Sequence, residues 1–311
     1  MGWAYAVMCL IYGTTFLAIR AGDMAGMPPL LFAALRFSAA GILTLLVVVG
    51  RDRSALPTSA RAYLGLASVG LFNTTAVFSI VYIVEQYVPS SYAALLSATM
   101  PLLVMLLGGI SNKQTITHLQ YVGLLLGFFG VFAIAWPGFQ TGVPHWIAST
   151  VALVAAQVMA AIGSLQSRKI LAQGMSPFVV NGFQVLFGGL GLFVLAAMTG
   201  TLSLSGVHAW REGLVALAYL TVFGSMVAAS IFFWLVKRAS ALLASTWTYV
   251  SPIIAIGVGS LWFHEPVYWL TGLGTLGILG GVFLVNLQAF RTVYRTRLHR
   301  RQHVGETAEQ E

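Results

Sequence analysis

Apolar residues run in long blocks along this chain, and polar or charged residues gather between them. Turn signals and charges cut the sequence into ten blocks, at roughly 3–19, 29–50, 62–84, 89–110, 118–136, 146–167, 177–199, 212–235, 241–263 and 266–288. About 20 predominantly apolar residues cross a bilayer as a helix, so each block is predicted to be a membrane-spanning helix. The connections are short and marked by Pro28-Pro29, Pro57, Pro89, Pro137, Pro144, Pro177 and Pro266. Proline lacks an amide donor and interrupts helices, which suits it to these joints.

Composition supports the reading. Of 311 residues, 58% are hydrophobic and 8% are charged, against about 25% charged in a soluble domain. Too little polar surface exists to coat a water-soluble globule. The net charge of +8 does not point to nucleic acid, because the basic residues sit between and after the apolar blocks. Cys9 is the only cysteine, which excludes an intramolecular disulfide and reads as packing. No cleavable signal peptide is expected, since Met1-Gly2-Trp3 leads straight into a block without a basic region.

The placement of Lys and Arg sets orientation. With the N-terminus in the cytoplasm, the inside receives Arg51, Arg53, Arg61, Lys113, Arg168, Lys169, Lys237, Arg238 and the tail arginines, and the outside receives Arg20 and Arg211. Both termini are therefore expected in the cytoplasm, with the chain multi-pass in the cell (inner) membrane.

Two stretches repeat each other. Residues 90–134 lie on 241–285 at an offset of 151, pairing Ala93 with Ala244, Pro101 with Pro252, Gly108 with Gly259 and Gly123 with Gly274. The run Gly130-Val131-Phe132 meets Gly281-Val282-Phe283. Pro29 and Gly41 meet Pro177 and Gly189 at an offset of 148. Five spans per half is an odd number, so the second half enters the membrane from the opposite side. The expected fold is an all-α integral membrane protein, with ten transmembrane helices as two inverted five-helix repeats. The halves are 1–140 and 141–290, followed by a charged cytoplasmic tail, 291–311.

Several pieces carry a family likeness: Tyr12-Gly13-Thr14-Thr15-Phe16 followed by Arg20; Leu35-Arg36-Phe37 followed by Gly41; Ala93-Ala94-Leu95-Leu96 running to Pro101; and Ala241-Leu242-Leu243-Ala244 running to Pro252. Phe263-His264-Glu265-Pro266 and then Gly274 and Gly281-Val282 complete the set. In this order they resemble the drug/metabolite transporter superfamily, specifically its EamA-type ten-helix branch. The chain departs from the pattern at Asn112-Lys113-Gln114, where the family often carries a second glutamate. The resemblance implies a permease moving small metabolites, often amino acids outward.

The residues themselves nominate a site. Arg36 sits inside a span, where a mid-helix arginine costs roughly 2.5–3.5 kcal/mol. Its planar fork of donors suits a substrate carboxylate or phosphate; the structural alternative is a bond to helix-end carbonyls or snorkelling to the interface. Ser68, Phe72, Thr75, Ser79 and Tyr82 fall on one helical face, and Tyr219, Phe223, Met226, Ser230 and Phe233 repeat that stripe. Such stripes line a cavity or glue helices together. Asn73, Gln157, Gln184, Trp247 and Tyr249 complete the substrate-binding candidates, and packing is the alternative for the two aromatics. Pro101 and Pro252 are hinge candidates, since paired interruptions mark transporter sites, or they are static bends. Glu85, His264 and Glu265 fall at the outer ends of spans, as rim residues, with Glu85 and Glu265 the candidates for proton coupling. Gly123/Gly127 and Gly277/Gly281 form GxxxG patterns that read as close packing within the bundle or as a homodimer face.

No Walker A pattern, HExxH or intramembrane carboxylate–histidine cluster is present in the sequence. No catalytic residues, metal or cofactor are expected, and the chain is not expected to be an enzyme. The predicted interior holds no Asp or Glu. Partners are expected to be a small-molecule substrate and the lipid bilayer, not nucleic acid. A phosphorylated sugar or nucleotide sugar is the alternative cargo, although it calls for more than one cavity cation. A membrane-embedded enzyme or a scaffold is the alternative class.

Overall fold

A proline opens both α2 and α7, at the position where a missing amide costs a helix nothing; Pro29 and Pro177 stand there. Ser59 caps α3, its Oγ accepting from the Ala62 amide at 3.3 Å. In chain order the helices are α1 (Gly2–Met24), α2 (Pro29–Arg51), α3 (Ala60–Val84), α4 in two pieces (Ser90–Ser97 and Met100–Asn112), α5 (His118–Thr141), α6 (Trp146–Ala172), α7 (Pro177–Met198), α8 (Trp210–Arg238), α9 (Trp247–Phe263) and α10 (269–281). The structure is a computed structural model and describes residues 2–112, 117–141, 145–238, 244, 247–263, 269–281 and 283–284. Among them there is no strand. Seven helices among the described residues are long and apolar enough to cross a membrane: α1, α2, α3, α4, α6, α7 and α8.

α3 and α8 each contain a stretch of π-helix, Leu71–Ala76 and Leu220–Ala228. The two stretches occupy matching places at the repeat offset of 151. A π segment closes its bonds one residue later than an α-helix, adds a residue to the turn and recurs at functional sites.

Glycines bring helices together in reciprocal pairs. A β-carbon on Gly41 would fall 2.7 Å from the Leu186 amide nitrogen, and one on Gly189 would fall 2.5 Å from that of Ser38. Ser38 and Leu186 are themselves repeat equivalents at an offset of 148, so exchanging the halves exchanges the two contacts. The crossing of α5 and α10 behaves alike. A β-carbon on Gly130 would meet the Gly274 carbonyl oxygen at 2.5 Å, and one on Gly281 would run into that of Gly123. The GxxxG spacing thus serves packing inside the chain. Gly277 faces Gly130 in the same seam.

The turn between α1 and α2 rests on the loop before α8. The Ala25 carbonyl accepts from the amides of His208 and Ala209 at 3.2 and 3.3 Å. Gly26 permits this approach with φ +81°, a conformation that costs glycine nothing.

Candidate functional site

A cavity of about 140 Å³ lies where α1, α2, α3 and α4 meet α6, α7, α8 and α9. One water needs roughly 10–15 Å³ on such a measure. Its walls are mostly apolar, with Phe16, Phe37, Phe78, Phe232 and Phe233 among them.

Arg36 supplies the charge. It is 2% exposed, and its Nε donates to Ser225 Oγ at 2.9 Å while Nη1 donates to the Tyr82 hydroxyl at 3.0 Å. The guanidinium carbon lies 4.5 Å from the Phe37 ring centroid and 5.3 Å from that of Phe78, which adds a cation–π contribution. No carboxylate lies within ion-pair distance of it among the described residues. A guanidinium carries five N–H donors. Two are used, so both protons of Nη2 and one of Nη1 have no acceptor among the described residues.

The network continues into the second half. Asn181, fully buried, donates through Nδ2 to the Ser225 carbonyl at 2.9 Å and to Ser230 Oγ at 3.3 Å. Gln184 Nε2 donates to Asn181 Oδ1 at 3.4 Å, and its Oε1 accepts from Thr74 Oγ1 at 3.1 Å. A polar chain therefore runs from Tyr82 through Arg36, Ser225, Asn181 and Gln184 to Thr74. Asn73 and Gln157 also face the cavity, and neither amide has a hydrogen-bond partner among the described residues.

Of the residues nominated from sequence, Arg36, Asn73, Gln157, Gln184 and Trp247 line the cavity. Trp247 also packs on Tyr12, with ring centroids 4.3 Å apart. Tyr82 reaches the site through Arg36. It does not itself line the cavity, and three others do not either. Thr75 Oγ1 donates to the Gly188 carbonyl at 2.9 Å, Ser79 Oγ to its own helix at Ala76 O (3.1 Å), and Ser230 holds Asn181. On α3 the cavity meets Asn73, Thr74 and Val77 rather than Phe72, Thr75 and Ser79, so the face turned to it lies beside the polar stripe. The cavity likewise meets Gly224, Ser225 and Ala229 rather than Phe223, Met226 and Ser230. Ser225 and Thr74 stand beside the nominated stripes, and Asn181 and Tyr12 belong to neither, so none of the four was nominated.

Pro101 sits at the second position of the second piece of α4, just after a break at Ala98–Thr99, where amides turn back to carbonyls three residues earlier. Ser97 and Met100 at this break line the cavity. Pro252 lies within the continuous helix α9, so the two interruptions are not alike. The side chains of Pro252 and Tyr249, and residues His264 and Glu265 entirely, lie outside the described residues. Glu85 corrects two expectations: it is 0% exposed rather than a rim residue, and it puts an acidic side chain in the interior. The chain turns back through Gln86–Val88 there, and the end of α1 closes over it, with Arg20 Nη1 donating to the Glu85 carbonyl at 2.8 Å.

Gly224 leaves room for the guanidinium: a β-carbon there would stand 2.9 Å from Arg36 Nη2. Gly224→Ala is expected to raise KM about tenfold, on the order of 1–2 kcal/mol, with normal amounts of protein in the membrane. Uptake kinetics on reconstituted variant and parent check this.

A helical membrane protein with a buried cation in a cavity walled by both halves of its chain is the class that fold and site define. The chain belongs to the EamA-like transporter family, which matches it twice, over residues 2–136 and 147–287. It is 30% identical to the uncharacterized inner membrane transporter YedA of Escherichia coli K12 over 91% of this chain and 90% of that protein. It is 25% identical to the uncharacterized transporter YvbV of Bacillus subtilis, over 91% and 90%. A WAT1-related chloroplastic protein of Arabidopsis thaliana is 25% identical, over 83% and 63%. One crystal structure, 21% identical, shares the fold with a TM-score of 0.66, covering 93% of this chain and 97% of that one.

Proposed function

We propose that the chain exports a small metabolite, an amino acid or a close relative, across the cytoplasmic membrane by alternating access. Two inverted five-helix halves rock about the Arg36 cavity, and both termini lie in the cytoplasm. The observation that carries this reading is the buried guanidinium with unspent donors in a cavity walled by both halves. A permanent cation inside an apolar span, with no carboxylate at ion-pair distance among the described residues, is a functional signature by default. Further support comes from the twofold family match and from glycine contacts that exchange when the halves are exchanged. Transporters built from inverted repeats bind substrate at the repeat interface near the midplane. Reconstitution into liposomes and counterflow with a broad panel of amino acids and small organic acids, with and without a pH gradient, tests it. Saturable exchange of at least one compound is expected, and none across the panel rejects the reading. A phosphorylated sugar fits less well, since Arg36 is the only charged side chain among the described lining residues.

A further inference from the structure

We infer that the cavity selects a small monoanion, one carboxylate on an apolar or aromatic body, over a zwitterionic amino acid. The inference rests on the transporter reading and, within its small-metabolite cargo, moves the preference from the amino acid to a relative that lacks the amine. It follows from a charge count. Arg36 contributes one positive charge to the wall, and no Asp, Glu or Lys lines the cavity among the described residues. A monoanion brings the filled cavity to neutrality, a zwitterion leaves it at one positive charge, an amine at two, and a phosphate dianion at minus one. An ion left uncompensated away from water costs several kcal/mol.

The donors match the same ligand. Ser225 and Tyr82 hold the guanidinium from Nε and Nη1 and leave Nη2 without an acceptor among the described residues, so a carboxylate can take N–H bonds from the Nη1–Nη2 edge. An ammonium finds no such partner. Asn73 and Gln157 offer neutral amide oxygens, and Phe37 and Phe78 already face the Arg36 cation. Glu85, the other buried ionisable side chain near the site, stands one turn beyond Tyr82 and outside the lining. Phe16, Phe232, Phe233 and Trp247 supply the remaining wall, suited to an apolar body.

Three compounds with one aromatic body separate the charges: 3-phenylpropanoate, phenylalanine and 2-phenylethylamine. Counterflow is measured at pH 7 in proteoliposomes, with flux in protein-free liposomes subtracted. The expected result is a kcat/KM for 3-phenylpropanoate at least tenfold above phenylalanine, with no saturable flux of the amine. Arg36→Ala is expected to bring the acid-to-amino-acid ratio toward one, which a purely structural role would not do. Phenylalanine carried as well as the acid overturns the inference and leaves the transporter reading intact. So does flux of none of the three when another solute of the broad panel is exchanged. No exchange of any solute removes the transporter reading, and this inference with it.

Discussion

Arg36→Ala is expected to lower the kcat/KM of transport about 30-fold or more while leaving the protein folded in the membrane. The fold tolerates the change because two terms oppose. Removing a mid-membrane arginine relieves roughly 2.5–3.5 kcal/mol of insertion cost, while losing its bonds to Ser225 and Tyr82 costs about 1.5–3 kcal/mol each, as bonds to a charged group do. Nothing offsets the loss for a bound anion. Truncating one partner of a buried, hydrogen-bonded charge pair costs about 2–5 kcal/mol, or about 30-fold to several thousand-fold in kcat/KM. Arg36→Lys keeps the charge and loses the planar fork, so its rate falls between the two. Uptake by reconstituted variants at matched protein amounts checks the series. Parent-like kcat/KM in Arg36→Ala contradicts it.

Gly189→Leu is expected to remove folded protein from the membrane. α2 and α7 cross where Gly189 meets the Ser38 backbone, and a β-carbon would stand 2.5 Å from the Ser38 nitrogen. Backbone cannot rotate aside as a side chain can, so the cost exceeds the roughly 1–3 kcal/mol of ordinary overpacking. The helices must separate, and the close approach that holds membrane bundles together is lost. Gly257→Leu is the control, because among the described residues nothing lies within 4 Å of a β-carbon there. Size-exclusion profiles of detergent extracts should show the Gly257 variant at parental level and the Gly189 variant absent or aggregated. Equal peaks would show that the crossing is not tight.

The helices were legible because apolar length is a strong signal: the blocks at 29–50 and 177–199 fall on α2 (Pro29–Arg51) and α7 (Pro177–Met198). Arg36 was legible because a charge within an apolar block has few structural uses. Ser225 and Thr74 were not, since each stands one position away from the stripe that marks its helix in the sequence. Glu85 was misplaced because its block ends beside it, and sequence does not tell that α1 folds across that end. The glycine pairs Gly41–Gly189 and Gly130–Gly281 were legible as equivalents, but their reciprocal contacts required coordinates.

Two inverted halves make a demand that single thiols can test. Ser54 and Ser205 are both exposed, in loops one repeat apart at an offset of 151. In a Cys9→Ala background, Ser54→Cys and Ser205→Cys each carry one thiol, to be labelled in intact cells by a membrane-impermeant maleimide. Inverted halves predict labelling at position 205 from outside, and at position 54 only after the membrane is opened. Labelling of both from the same side would contradict the inverted arrangement and the pathway built on it.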